Sequence, residues 1–285
     1  MTVQIFGPER CRLGEGPLVH DGRLFWFDIL QKQLHSRRFD GSDPRHFQFD
    51  LHCSAAARLD DGRFLVASER GLFALDLESG GQTPVCDLEA DNPVTRSNDG
   101  RADRRGGFWI GTMGFNAEPG AGAIYRYHRG TLRKLRPGIT ISNAICFAPD
   151  GGTAYFTDTA ENILYAWSLD ADGWPVGAPQ PLLDKRGADF GLDGAVVDSE
   201  GAIWVACWGA SQVMRLSPEG KVLRTEKLPA AQTTCPAFGG DDLRTLFVTS
   251  AWQGLPEVER GPTEAGAVFS LPIAVAGLED PVVSL

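Results

Sequence analysis

A weak internal repeat with a period of roughly forty to fifty residues constrains this chain more than any other feature, because repetition at that period marks a stacked or radially repeated architecture. Its clearest sign is a tight-turn dipeptide at Asp21-Gly22, Asp61-Gly62, Arg105-Gly106, Asp150-Gly151 and Glu200-Gly201, with a degenerate sixth copy near Asp242-Leu243. After each turn comes a short β-prone run: LFWFD (24–28), FLVAS (64–68), FWIGT (108–112), AYFTD (154–158), IWVAC (203–207) and LFVTS (246–250). A second run follows in each unit, at 33–39, 71–77, 123–128, 163–169, 212–217 and 267–272. These runs alternate apolar and polar residues with a period of two and end in turn residues, as hairpin strands do. Two strong and two weaker strands per unit make a four-stranded blade, and six blades consume the chain. The expected fold class is therefore all-β, a six-bladed β-propeller with four-stranded blades.

Each blade leaves an apolar face that only its neighbours can bury. With 42% hydrophobic residues, 7 Trp and 16 Phe, the chain has enough apolar surface to do so. No linker or low-complexity stretch divides it, so residues 1–285 read as a single domain. The ring still needs closing. Either VQIF (3–6) or VVSL (282–285) can add the missing strand to the last blade.

The charge balance, 37 acidic against 27 basic residues, excludes a phosphate-binding face and so argues against nucleic-acid partners. The six cysteines, at 11, 53, 86, 146, 207 and 235, show no CxxC pairing and read as buried free thiols, with Cys53 and Cys235 near the phase of the channel. The first residues lack a signal-peptide pattern, and no apolar run approaches the length of a membrane span. A soluble cytoplasmic protein, a monomer or weak homo-oligomer with no membrane partner, is the expectation.

Equal phase in a radial repeat means equal position in each blade. Counting back about six or seven residues from each turn gives Glu15, Cys53 or Ser54, Asn98, Asn143, Asp193 and Thr234 or Cys235. Two carboxylates and two amides should thus converge on the central axis. Buried together, the carboxylates repel one another, and a divalent cation relieves both the repulsion and the desolvation. Glu15 and Asp193 would neutralise it, and Asn98 or Asn143 would add a carbonyl oxygen, a donor set suited to hard ions. His20, His35, His46, His52 and His128 fall on other phases. Taken singly, an Asx before a turn is an ordinary cap, and Asn98-Asp99-Gly100 alone is an ordinary turn signal.

At LGEGP (13–17), RSNDGRADRRGGFWIGTM (96–113), ISNAICFAPDG (141–151), YFTDT (155–159), LDGAVVDSEGAIWVACWG (192–209) and FGGDDLRTLFVTSA (238–251) the chain resembles the SMP-30/gluconolactonase/luciferin-regenerating-enzyme family. The resemblance implies one divalent metal in the central channel (Ca²⁺, Zn²⁺, Mn²⁺, Fe²⁺ or Mg²⁺), held by Glu15, Asn143 and Asp193. It places substrate contacts on Arg96 and Asn98, with Glu118 a less secure third. Ala144 departs from the family pattern, which has glycine after the asparagine.

The activity implied is metal-dependent hydrolysis of a sugar lactone to the aldonic acid, with Asp193 as catalytic base as well as ligand. No G-x-S-x-G elbow offers a serine route. The alternatives are a non-catalytic calcium-binding or interaction propeller, and a promiscuous aryl-esterase or phosphotriesterase. The loops at 115–122 and 253–266 are rich in Gly and Pro and read as lids over one mouth.

Overall fold

A computed structural model of the chain describes every residue except Met1, Asp61 and Pro262. Asp61 of the second turn therefore lies outside the described residues. The chain forms six four-stranded antiparallel sheets, each made almost wholly from consecutive strands: a six-bladed propeller. The innermost strands are Gly14–His20, Cys53–Arg58, Thr95–Ala102, Ser142–Phe147, Gly191–Val197 and Thr233–Gly239. Each pairs with a second strand: Arg23–Asp28, Arg63–Ser68, Phe108–Gly114, Thr153–Asp158, Ile203–Trp208 and Thr245–Ser250. These second strands hold the β-prone runs that follow the repeated turns.

The turns owe their recurrence to backbone geometry. Gly22, Gly106, Gly151 and Gly201 all sit at positive φ, between 68° and 82°, where a side chain is disfavoured. Leu243 of the degenerate sixth copy adopts the same hand at φ 56°, so the turn survives without its glycine.

The N-terminal segment closes the ring. Gln4 and Ile5 pair antiparallel with Ser270 and Phe269 on the outer side of the sixth blade. The C-terminal residues do something else: they cross the far face of the propeller, where Val283 N donates to Arg58 O at 2.7 Å and Ser284 N to Gly106 O at 2.9 Å. Asp280 on this tail pairs with Arg101 at 3.4 Å at the floor of the channel.

Between blades the apolar faces interlock. Phe25, Phe27, Phe64, Val66 and Phe73 are buried between the first and second blades, and Trp109, Ile145, Phe147, Phe156 and Trp167 between the third and fourth. The repeat extends to single hydrogen bonds. Asp103 accepts from Gly107 N (2.9 Å), Trp109 Nε1 (3.0 Å) and Arg126 Nε (2.6 Å), and Asp198 accepts from Ala202 N (3.0 Å), Trp204 Nε1 (2.9 Å) and Arg215 Nε (2.8 Å). Each buried carboxylate is thus paired and fully bonded, which repays much of its desolvation while stitching three strands of a blade.

All six cysteines are free, and all but Cys86 are buried. Cys235 lines the channel, where a Cβ added to Gly194 would lie 2.4 Å from its sulfur. Cys53 instead joins the apolar cluster between the first two blades. Among the described residues no helix is long and apolar enough to cross a membrane.

Candidate active site in the central channel

All six inner strands slip by one residue against their neighbours near their starts, at the end away from the glycine turns. The slips fall between Glu15 and Leu18, Cys53 and Ala55, Ser97 and Gly100, Asn143 and Cys146, Leu192 and Ala195, and Thr233 and Pro236. A bulge re-aims side chains that regular alternation would send elsewhere. Glu15 and Asn143 are the last paired residues before their slips, and Asn98 and Asp193 the first unpaired residues within theirs. The Asn98-Asp99-Gly100 signal is therefore a bulge inside a strand rather than a turn. Ser97 and Ser142, which would otherwise be read as turn hydroxyls, also lie within inner strands.

The backbone at these bulges is demanding. Gly16 and Ala144, each directly after a candidate ligand, have φ of 52° and 56°. Glycine takes this conformation freely, whereas Ala144, fully buried, carries the cost of a left-handed L-residue. The departure from the family pattern thus falls on the backbone of residue 144 itself.

Glu15, Arg96, Asn98, Asn143 and Asp193 are all buried, with 3–7% of their surface exposed. Asn98 uses both ends of its amide. Its Oδ1 accepts from Arg96 Nη1 at 2.8 Å, and its Nδ2 donates to Ser142 O at 2.9 Å and Asn143 Oδ1 at 3.2 Å. Asn143 donates through Nδ2 to Thr159 Oγ1 at 2.8 Å, and Thr159 donates onward to Leu192 O at 2.7 Å. Because the Thr159 proton is committed to Leu192, its oxygen must accept from the amide nitrogen, which turns Asn143 Oδ1 toward Asn98 and the axis. Each amide oxygen accepts one hydrogen bond, Asn98 Oδ1 from the Arg96 cation and Asn143 Oδ1 from the neutral Asn98 amide, so Asn143 is the one not already facing a positive charge.

Electrostatics separate this site from a merely polar channel. Burial raises the pKa of Glu15, Asp99 raises it further, and the Gly16 amide and Arg96 oppose the shift. Asp193 is raised well above the usual carboxylate range by burial, by Glu15 and by Asp99. Burial pulls Arg96 down to about 10 while Glu15, Asp193 and Glu69 push it back up, so it remains a cation at neutral pH. One guanidinium faces three carboxylates, a local charge deficit that a cation would fill. Among the described residues no three His, Cys, Asp or Glu side chains gather as a metal cluster. An amide oxygen such as that of Asn143 would add a third oxygen donor to the two carboxylates. The donors Glu15, Asn143 and Asp193 fit a hard divalent ion.

Glu118 stands in the loop after the third blade's second strand, at the mouth that holds the site. Its carboxylate accepts from Asn116 N and Asn116 Nδ2, both at 3.0 Å. Both loops proposed as lids follow second strands rather than innermost ones, and both lie at this mouth.

Three participants escape a reading of the sequence: Asp99, Thr159 and Glu69. Asp99 ties neighbouring inner strands by accepting from Ile145 N at 2.7 Å. YFTDT does contain Thr159, but only the fold shows which amide it meets.

The family model described as SMP-30/Gluconolactonase/LRE-like region matches residues 13–252. The chain belongs to this family. Among its members, a protein of Rhizobium meliloti (strain 1021), provisionally named a sugar lactone lactonase, is 43% identical over 277 residues, covering 96% of this chain and 94% of that protein. The 6-deoxy-6-sulfogluconolactonase of Pseudomonas putida is 36% identical over 281 residues, covering 95% and 94%. The crystal structure of a calcium-binding protein, regucalcin, from Agrobacterium tumefaciens superposes with a TM-score of 0.97 at 40% identity, covering 100% of this chain and 98% of that one.

Proposed function

We propose that the chain is a divalent-metal-dependent lactonase that opens a sugar (aldono-)lactone to its aldonic acid. The observation that carries this reading is the pair of buried, undercompensated carboxylates, Glu15 and Asp193, facing Asn143 and Arg96 in one channel. The names of two family relatives, a sugar lactone lactonase and a sulfogluconolactonase, support the substrate class. Glu15, Asn143 and Asp193 would hold the metal, whose contribution when bound is Lewis-acid polarisation of the ester carbonyl.

The chain's own groups account for the rest. Asp193 accepts a proton from the water that adds to the carbonyl carbon. Arg96, with one nitrogen already spent on Asn98, keeps donors for the lactone oxygens or ring hydroxyls. Asn98 holds Arg96 and Asn143 in mutual register. Glu118, half-buried at the mouth, offers an acceptor to a substrate hydroxyl. When the ring C–O bond breaks, the ring oxygen takes up a proton and leaves as the new hydroxyl of the acid.

Asp193→Ala should lower kcat by about a hundredfold or more, the usual contribution of a positioned base, while retaining a cooperative melt. Near-wild-type kcat with metal bound would overturn the assignment. A second reading, a calcium-binding propeller without turnover, draws on the name of the Agrobacterium structure. Metal binding without hydrolysis of any lactone would favour it.

A further inference from the structure

We propose that His52, held by Glu69, is a hydrogen-bonding station for the sugar hydroxyl farthest from the lactone carbonyl, and that it selects neutral polyhydroxylated lactones over those with an anionic tail. This rests on the lactonase reading. His52 stands just before the inner strand of the second blade and Glu69 just after that blade's second strand, so pairing of the two strands brings them together at the mouth. Glu69 N donates to His52 O at 3.0 Å, and His52 N to Glu69 Oε2 at 3.2 Å. The same carboxylate oxygen binds His52 Nδ1.

A carboxylate only accepts, so that contact requires a proton on Nδ1 and aims Nε2 away from Glu69. Neither His52 Nε2 nor Glu69 Oε1 has a hydrogen-bond partner among the described residues. The two side chains retain 21% and 14% exposure. Phe115, from the loop that carries Glu118, backs the ring edge-on with centroids 5.2 Å apart.

The dyad belongs to the wall that holds the site. Glu69 is one of the three carboxylates felt by Arg96. Two residues beyond His52, Ser54 Oγ donates to Ser97 Oγ at 2.7 Å, next to Asn98. A clamp that only fixed two strand ends would not need an accessible Nε2. A hydroxyl can bond Nε2 as donor or as acceptor, whereas an anionic tail brought beside the Glu69 carboxylate meets a like charge.

The test measures kcat and KM of the metal-loaded wild type, His52→Ala, His52→Gln and Glu69→Gln on gluconolactone, its 6-deoxy analogue and its 6-deoxy-6-sulfo analogue. Wild type should prefer gluconolactone to the 6-deoxy compound by about tenfold in kcat/KM, chiefly through KM, since the analogue forfeits one hydrogen bond to His52 Nε2. In His52→Ala that preference should collapse toward one, and His52→Gln should keep part of it. Glu69→Gln should improve relative use of the sulfo compound, a charge readout that a structural clamp would not give. Equal losses on gluconolactone and its 6-deoxy analogue in His52→Ala, or an unchanged sulfo ratio in Glu69→Gln, would overturn the proposal alone. Should His52→Ala fail to give a cooperative melt, the glutamine variants decide. Absence of wild-type turnover on every lactone would overturn the lactonase reading and this proposal with it.

Discussion

Replacing Thr159 with valine keeps the shape of the side chain and deletes the hydroxyl that fixes the Asn143 amide. Two bonds disappear, from Asn143 Nδ2 at 2.8 Å and to Leu192 O at 2.7 Å. Each is worth about 1 kcal/mol net, and a buried partner left bare costs about 1–3 kcal/mol. Thr159 is itself half-buried, so water can reach part of the gap and the lower end applies. The expected destabilisation is about 2 kcal/mol, or about 4 °C in melting temperature for a domain of this size. The larger consequence is chemical. With the amide free to turn, Asn143 Oδ1 no longer points reliably to the axis, and loss of such an orienting partner weakens metal affinity about tenfold or more. Calorimetric titration of metal-stripped Thr159→Val with a divalent ion should show that weaker Kd, and Thr159→Ser should restore it. A variant that melts lower yet binds metal as tightly as wild type would refute the argument that this hydroxyl sets the ligand's orientation.

Two further outcomes follow from the bulges and the buried carboxylates. A Cβ at Gly16 would lie 2.3 Å from Ser54 O with φ at 52°, so Gly16→Ala should cost about 3 kcal/mol or more. Ala144→Gly, at the same phase, exchanges strain relief for chain entropy and should stay within about 1 kcal/mol of wild type by denaturant unfolding; equal effects of the two substitutions would contradict the backbone argument. Glu15 and Asp193 have raised pKa values in the folded chain, so the folded state holds more protons than the unfolded one. Their contribution to stability is present below the ordinary carboxylate range and lost as pH rises through the raised values. Metal-free protein should therefore lose melting temperature between about pH 5 and pH 8, Glu15→Gln should lose less, and the rise in melting temperature on adding metal should grow with pH. A rise in melting temperature on adding metal that shrinks over this range would contradict the assignment.

Much of the propeller is legible in the sequence because its determinants are local. Four of the glycine turns hold their glycine at positive φ, and the runs after them alternate with the period of a strand. Even the degenerate sixth copy holds, since Leu243 takes the turn's left-handed conformation. Glu15, Asn98, Asn143 and Asp193 are legible as a set because a radial repeat converts phase into position, here to within one residue, since the bulges put Asn98 and Asp193 one step after Glu15 and Asn143. What local pattern does not show is what the ring brings together across blades. Asn98-Asp99-Gly100 reads as a turn because Asx and Gly favour turns and bulges alike, and only the ladder distinguishes them. Thr159 meets Asn143 and Leu192 through contacts between separate strands. His52 is off the ring's phase and reaches the mouth through Glu69. Closure by Gln4–Ile5 rather than by the C-terminal residues is likewise a property of the assembled ring, since both termini have similar apolar runs.

The central claim is that this channel performs metal-dependent lactone hydrolysis. Its most direct test is pH-indicator hydrolysis of a panel of aldono-lactones by metal-stripped protein, with single divalent ions added back and buffer blanks subtracted. The expected result is no enzymatic turnover without metal and restored turnover with at least one ion on at least one sugar series. Full turnover by the stripped protein, or saturable metal binding with no turnover on any lactone, would contradict it.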